Sequence, residues 1–293
     1  MRLKDKKGPL CMILASICWS FGGLCIKFIP WDAAAIIGVR AMFAAAVFAA
    51  YRRDVRIKFT GGNVLTALCL SATTILFVYA NKLTTAASAI LLQFTAPVFI
   101  ILIHLAVYGK KPKPAELAAV AATVAGMLLF FADSLGFNFL GGGGAPGGTF
   151  GNLLAVASGL SFAGVFVCNR RKDVDTEQAL FLGFLINSTV CLPFVAAGVT
   201  AEPVAWGFAV FLGIVQVGFA YIFFSVGIKR TPALLACLIT AMEPVLNPVW
   251  VMIATGERPG ALSIIGGAVI IAAVVRYNFW FERNAGKEGR EAP

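Results

Sequence analysis

Glu243 is a carboxylate in a segment that otherwise reads as membrane-spanning. It stands in TAMEPVLNPVW, residues 240–250, with Pro244 directly after it and Pro248 beyond. A proline inside a helix removes a backbone hydrogen bond and pushes against the carbonyl four residues back. Pro244 and Pro248 are therefore expected to release the carbonyls of Thr240 and Pro244. Released backbone at membrane depth is tolerated only inside protein or lining a water-filled cavity. A carboxylate beside such a break is placed to bind an amine, carry a proton, or do each in turn. The other reading is a kink that serves packing, with the acid hydrogen-bonded nearby. Charge at the bilayer centre is costly, and one further charge falls near a span centre, Arg40. Arg40 would attract a substrate carboxylate, or pair with Glu243 and lock two helices together.

Other polar and aromatic residues extend this set. Gln93 and Pro97 are four apart and share a helix face, as do Glu243 and Asn247. Pro97 is expected to bend its span as Pro244 bends the later one. Trp19, Tyr79 and Tyr221 offer aromatic surface. The expected substrate-binding residues are thus Glu243, Asn247, Gln93, Tyr79, Arg40, Trp19 and Tyr221, with Glu243 also the candidate for proton coupling. Pro97, Pro244 and Pro248 are the helix breakers. Ser20, Asn187, Gln216 and Trp250 are further candidates on spans that could line a cavity. Each polar side chain has an alternative role as glue between helices. The single histidine, His104, lies towards one end of its span and reads as interfacial.

No catalytic constellation is visible. The chain lacks paired intramembrane acids, a His-Glu-x-x-His motif and a serine–histidine arrangement, so an enzyme is not expected. Its seven cysteines fall in apolar segments without Cys-x-x-Cys or histidine spacing and read as small packing residues. No metal or cofactor is expected.

The elements that must position these residues follow from composition. The 293 residues are 59% hydrophobic and 13% charged, with mean hydropathy +0.87. Soluble domains are nearer half apolar and a quarter charged. Ten segments of about 20 residues suit membrane helices. They run about 9–28, 33–50, 61–80, 84–107, 116–132, 150–168, 178–198, 206–227, 232–254 and 261–281. The N-terminal run resembles a signal peptide, but it is too long and lacks a small-x-small site, so it reads as a retained first span. The run GGGGAPGG, residues 141–148, lacks the lysine of a phosphate-binding loop.

The net charge of +10 is a topology signal. With the N-terminus in the cytoplasm, twenty of the 24 basic residues fall at cytoplasmic positions. These are Arg2, Lys4, Lys6 and Lys7; Arg52, Arg53, Arg56 and Lys58; Lys110, Lys111 and Lys113; Arg170, Arg171 and Lys172; Lys229 and Arg230; and Arg276, Arg283, Lys287 and Arg290. Lys82 and Arg258 lie outside, and Lys27 and Arg40 in spans. This is the positive-inside pattern, with both termini cytoplasmic and no nucleic acid needed.

The chain also repeats itself. KLTTAASAILLQFTAPVFIILIHLAVYGKKP, residues 82–112, aligns without gaps to KRTPALLACLITAMEPVLNPVWVMIATGERP, residues 229–259. Lys82, Thr84, Pro97, Val98, Gly109 and Pro112 match Lys229, Thr231, Pro244, Val245, Gly256 and Pro259. SFGG at 20–23 echoes SFAG at 161–164. Five spans per repeat is odd, so the repeats should enter the membrane in opposite directions, with a site at the midplane between them.

With those residues in place, the chain resembles the drug/metabolite transporter superfamily, EamA type. APVFIILIHLAVYGKKP closes the fourth span and MEPVLNPVWVMIATGERP the ninth, where Glu-Pro is followed by a terminal Gly-Glu. The first repeat departs from the pattern, with Ala96 before the proline and Lys110 where a glutamate often stands. The resemblance implies an exporter of amino acids or similar metabolites, a cavity formed by spans 1–4 and 6–9, and peripheral spans 5 and 10.

The expected protein is therefore an all-α integral membrane transporter with ten helices in two inverted five-helix repeats. The divisions are residues 1–140, a glycine-rich external loop at 141–149, residues 150–281 and a cytoplasmic tail at 282–293. It is expected in a bacterial cytoplasmic membrane, moving small amino-acid-like metabolites by alternating access. Organic cations, quaternary amines or drugs are the alternative cargo, held in an aromatic cage. Its partners are a small-molecule substrate and membrane lipid. A small-residue stripe at Ala118, Ala122 and Gly126 suggests close helix packing and a possible homodimer.

Overall fold

The computed structural model describes residues 7–84, 86–135, 148–255 and 261–288. Among them every regular element is a helix. In chain order these are α1 (Lys7–Ser20), α2 (Gly22–Lys27), α3 (Ala33–Arg52), α4 (Gly61–Leu83), α5 (Ala86–Gln93), α6 (Ala96–Tyr108) and α7 (Pro114–Leu135). Then follow α8 (Gly148–Cys168), α9 (Thr176–Gly198), α10 (Pro203–Phe211), a π-helical segment (Leu212–Phe219), α11 (Ala220–Arg230), α12 (Ala233–Thr240), α13 (Met242–Thr255) and α14 (Ala261–Glu288). Seven helical stretches are long and apolar enough to cross a membrane, and three shorter apolar helices accompany them. The chain is a multi-pass membrane protein. Most of the glycine-rich run at 141–148 and the stretch 256–260 lie outside the described residues.

Several expected spans are two helices rather than one. The chain bends at Phe21 between α1 and α2, at Phe94–Thr95 between α5 and α6, and at Ala241 between α12 and α13. Pro97 and Pro244 sit in the first turn of the helix that follows each later break. There no intrahelical N–H is needed, and the fixed φ of proline suits a helix start. The prolines therefore open new helices, and the chain turns two or three residues before them. In both spans the proline leaves the carbonyl four residues earlier, at Gln93 or Thr240, without an N–H partner from the proline.

Helices pair between the two halves of the chain. The principal pairs are α4 with α8, α3 with α9, α1 with α11, and α7 with α14. Small residues permit the close approaches. A Cβ on Gly266 would meet the Phe130 backbone at 2.3 Å, and one on Gly126 would meet Ile270 at 2.8 Å. Gly126, from the small-residue stripe, is thus packed against α14 of the same chain. All seven cysteines are free thiols, and those of Cys69 and Cys168 are neighbours where α4 meets α8.

One end of the bundle is tightly closed. Its core includes Met12, Phe48, Phe166, Phe224 and all of α12, in which every residue from Ala233 to Thr240 is buried. The connections at this end are the basic ones. The Asp173 carboxylate accepts from the Gly62 backbone at 2.8 Å, and the Asp173 carbonyl accepts from the Thr60 hydroxyl at 2.6 Å. Buried Asn63 donates to the Lys58 carbonyl at 2.8 Å and accepts from the Asp175 amide at 2.8 Å. Two loops from opposite halves of the chain are thereby joined. Arg171, hydrogen-bonded to Asp173 at 3.0 Å, holds that carboxyl below the usual carboxylate range.

Candidate substrate cavity

A cavity of about 320 Å³ occupies the middle of the bundle and extends away from the basic end. Six elements bring charge or amide groups to it, α4 among them with Asn81 and Lys82. α3 supplies Arg40, α13 supplies Glu243, α5 ends in it with Gln93, α9 supplies Asn187, and the π-helical segment supplies Gln216. The aromatic wall holds Trp19, Phe77, Phe162, Phe184 and Tyr221. Pro244 lines it beside Glu243, and Pro97 is buried just past the α5–α6 break.

Arg40 and Glu243 enter the cavity without joining each other. Among the described residues no ion pair connects them, although each lies in the other's electrostatic field. Arg40 is 9% exposed. Its Nε is buried and has no hydrogen-bond partner among the described residues. A buried guanidinium with an unused donor is costly unless something else completes it. Glu243 is half-buried.

The neutral groups are held more firmly. Gln93 donates from Nε2 to the Ser158 hydroxyl at 2.8 Å, and Ser158 donates to the Thr73 carbonyl at 3.1 Å. The Ser71 hydroxyl donates to Asn187 Oδ1. Gln216 donates to the Trp19 carbonyl at 3.5 Å, while its Oε1 is buried and has no partner among the described residues. A Cβ on Gly22 would lie 2.9 Å from that amide nitrogen, so glycine there makes room for the glutamine.

At the basic end the cavity closes on a floor of rings. Trp19 meets Tyr221 edge-on with centroids 5.0 Å apart and Phe162 at 6.4 Å. Tyr221 meets Phe184 at 5.4 Å. Edge-to-face packing of this kind suits aromatic quadrupoles and leaves little room between the rings.

The structure thus brings Arg40, Glu243, Gln93, Trp19 and Tyr221 to one space. Tyr79 is placed elsewhere: it is 38% exposed and does not line the cavity. On α4 the lining residues are Thr73, Thr74, Phe77, Val78, Asn81 and Lys82. The side chains of Asn247 and Pro248 lie outside the described residues. Sequence reasoning missed Thr73, Thr74 and Asn81, whose helical spacing forms one polar stripe on α4. It also placed Lys82 in a loop, whereas it ends α4 at the cavity. Trp250 donates to Ser20 at 2.7 Å and stacks on Phe21, beside the α1–α2 bend.

Comparison with known proteins agrees with this architecture. The EamA-like transporter family matches residues 6–132 and 149–279. The aromatic amino acid exporter YddG of Ancylobacter novellus is 30% identical over 209 residues, covering 67% of this chain and 70% of that protein. An uncharacterized transporter of Archaeoglobus fulgidus is 26% identical over 201 residues, covering 68% of this chain and 69% of its own. A solved crystal structure, 23% identical, superposes with a TM-score of 0.78 over 95% of this chain and 98% of that one, a likeness of fold. Two matched segments that account for nearly all the described helices, around a mid-bundle cavity, make the chain a membrane transporter of the EamA-like family.

Proposed function

We propose that the chain carries zwitterionic, amino-acid-like solutes, aromatic ones included, across a bacterial cytoplasmic membrane by alternating access, in the direction of export. The observation that carries this reading is the separation of Arg40 from Glu243 across one cavity. A zwitterion offers a carboxylate to the first and an ammonium to the second. Arg40 can take a carboxylate through two parallel N–H bonds, which would complete its unpartnered Nε. The ring wall suits an apolar or aromatic side chain, and the name of the Ancylobacter novellus relative points the same way. A quaternary amine would use the rings and Glu243 but leave Arg40 uncompensated.

Alternating access is supported by unequal packing of matching elements. α5 and α12 occupy the same eight positions of the aligned segments, 86–93 and 233–240. α12 is wholly buried and packs on α1, α6 and α8 at the basic end. α5 packs on α4, α7 and α8, and its Ile90 and Gln93 face open space. In an inverted repeat, exchange of these two environments would close one end and open the other. The pairing of helices supports that symmetry. Interchanging first-half and second-half spans converts α4–α8 into α1–α11 and leaves α3–α9 and α7–α14 unchanged. On the positive-inside reading the present state faces outward. Seven long and three shorter apolar helices are consistent with ten passes.

The test is uptake into proteoliposomes of labelled phenylalanine, an aliphatic amino acid and choline, with and without a pH gradient. Amino-acid flux lost in Arg40→Gln, and in Glu243→Gln together with its pH response, supports the reading. Choline flux without amino-acid flux, or normal amino-acid flux in both variants, would sink it.

A further inference from the structure

A second cavity, of about 440 Å³, lies outside the first, at the basic end between α6, α7 and α12. Its walls include His104, Lys110, Lys111, Lys113 and Glu116, with Leu234 of α12 as an apolar contact. The charges do not cancel. Glu116 accepts from the Lys113 backbone at 2.9 Å and from the Tyr277 hydroxyl at 3.5 Å. The Lys113 ammonium lies over the Trp280 ring, 5.8 Å from its centroid. Lys110 and Lys111 are exposed and make no ion pair among the described residues. The left-handed turn at Gly109, φ 63°, ends α6 and leads directly into these two lysines at the mouth.

The flanks are apolar and unpaired. Leu102 and Leu105 on α6 and Leu117 on α7 are each more than two-fifths exposed. A cation-rich hollow between membrane helices, with bare hydrocarbon-facing surface beside it, matches an anion that carries apolar chains. We propose that this cavity binds a phosphate group, supplied by the headgroup of an anionic membrane lipid whose chains lie along α6 and α7. Basic hollows between spans on the cytoplasmic side recognise such headgroups. Through Leu234 the lipid would touch α12, the buried half-helix that closes this end.

The test is native mass spectrometry of the full chain in detergent, titrated with dioleoyl phosphatidylglycerol, dioleoyl phosphatidylcholine or inorganic phosphate. The wild type should hold phosphatidylglycerol in preference to phosphatidylcholine. The double variant Lys110→Gln, Lys111→Gln should hold it roughly 30-fold more weakly, at the scale expected for two lysines near an anionic surface. Lys110→Arg, Lys111→Arg should restore binding. Should the glutamine pair fold poorly, single Lys111→Gln should show an intermediate loss. Equal retention of both lipids, or no difference between wild type and the glutamine variants, overturns the site. Displacement of phosphatidylglycerol by inorganic phosphate at similar concentrations overturns the lipid as its source.

Discussion

Gln93 and Ser158 are joined across the two halves of the chain, the amide donating to the hydroxyl at 2.8 Å where α5 ends. If α5 moves in each cycle, this bond must break and re-form. Hydrogen bonds between membrane helices average ~0.6 kcal/mol. Ser158→Ala should therefore lower the melting temperature by only a degree or two, while shifting α5 away from α8. An unchanged melting temperature would mean that Gln93 turns to cavity water without loss.

Gly159, one residue on, should be far less tolerant. A Cβ there would stand 2.7 Å from the Gln93 carbonyl and 2.9 Å from the Thr95 hydroxyl. Both belong to the α5–α6 break, so the contact cannot relax by rotating one flexible side chain. Overpacking of this kind costs ~1–3 kcal/mol. Gly159→Ala should show a clearly lowered melting temperature, and a wild-type value would place the break elsewhere.

The ring floor gives a prediction on chemistry rather than fit. Tyr221 packs against Trp19, Phe184 and Phe224, and among the described residues no hydrogen bond of its hydroxyl accompanies those contacts. Tyr221→Phe should keep KM within about twofold, whereas Tyr221→Ala forfeits ring pairs worth ~0.5–1.5 kcal/mol each. Measured uptake kinetics decide. A loss in Tyr221→Phe as large as in Tyr221→Ala would give the hydroxyl a direct part in binding.

The proposed alternating access can be tested at a native thiol. Cys237, in α12, is fully buried. In a variant that keeps only this cysteine, a water-soluble maleimide should react slowly at rest and faster during substrate exchange. Equal rates under both conditions would count against movement of α12.

The loop junction at the basic end carries a pH prediction. Asp173 has its carboxyl lowered below the usual range by Arg171 and by the Gly62 amide. A lowered folded-state pKa contributes stability above the ordinary carboxylate pKa, which is lost as pH falls through the lowered value. The difference in melting temperature between wild type and Asp173→Asn should stay constant from pH 8 to pH 5 and shrink only in more acidic buffer. The effect should be small, because the ion pair is solvent-exposed. A difference that closes near neutral pH would refute the assignment.

Much of this was legible in the sequence. Hydropathy marked the seven long apolar helices and the three shorter ones, and the repeat marked Pro97 and Pro244 as equivalent. The opposed charges Arg40 and Glu243 stood out because charge in a span is rare. What stayed hidden depends on helix phase and on tertiary packing. α4 is apolar enough all round that Tyr79 could not be told from its neighbours, and it faces outward two residues from Phe77, which faces in. Aromatic residues near a span end are as often at the lipid interface as inside. The π-helical segment carries no local signal in LGIVQVGF. Its Gly213 packs against Arg40 and Phe43, close contacts that only the folded chain creates. The bend at Phe21 has no proline to announce it.

The crosswise pairing of helices also bears on how the protein is made. α1, α3, α4 and α7 each find their main partner among α8 to α14. A ribosome that has inserted only the first half leaves those faces waiting in lipid, glycine notches and all. The first half is therefore expected to complete its packing only once the second is present. A chain cut in the 136–147 connection should be rescued when both pieces are made together, and neither piece should persist when made alone.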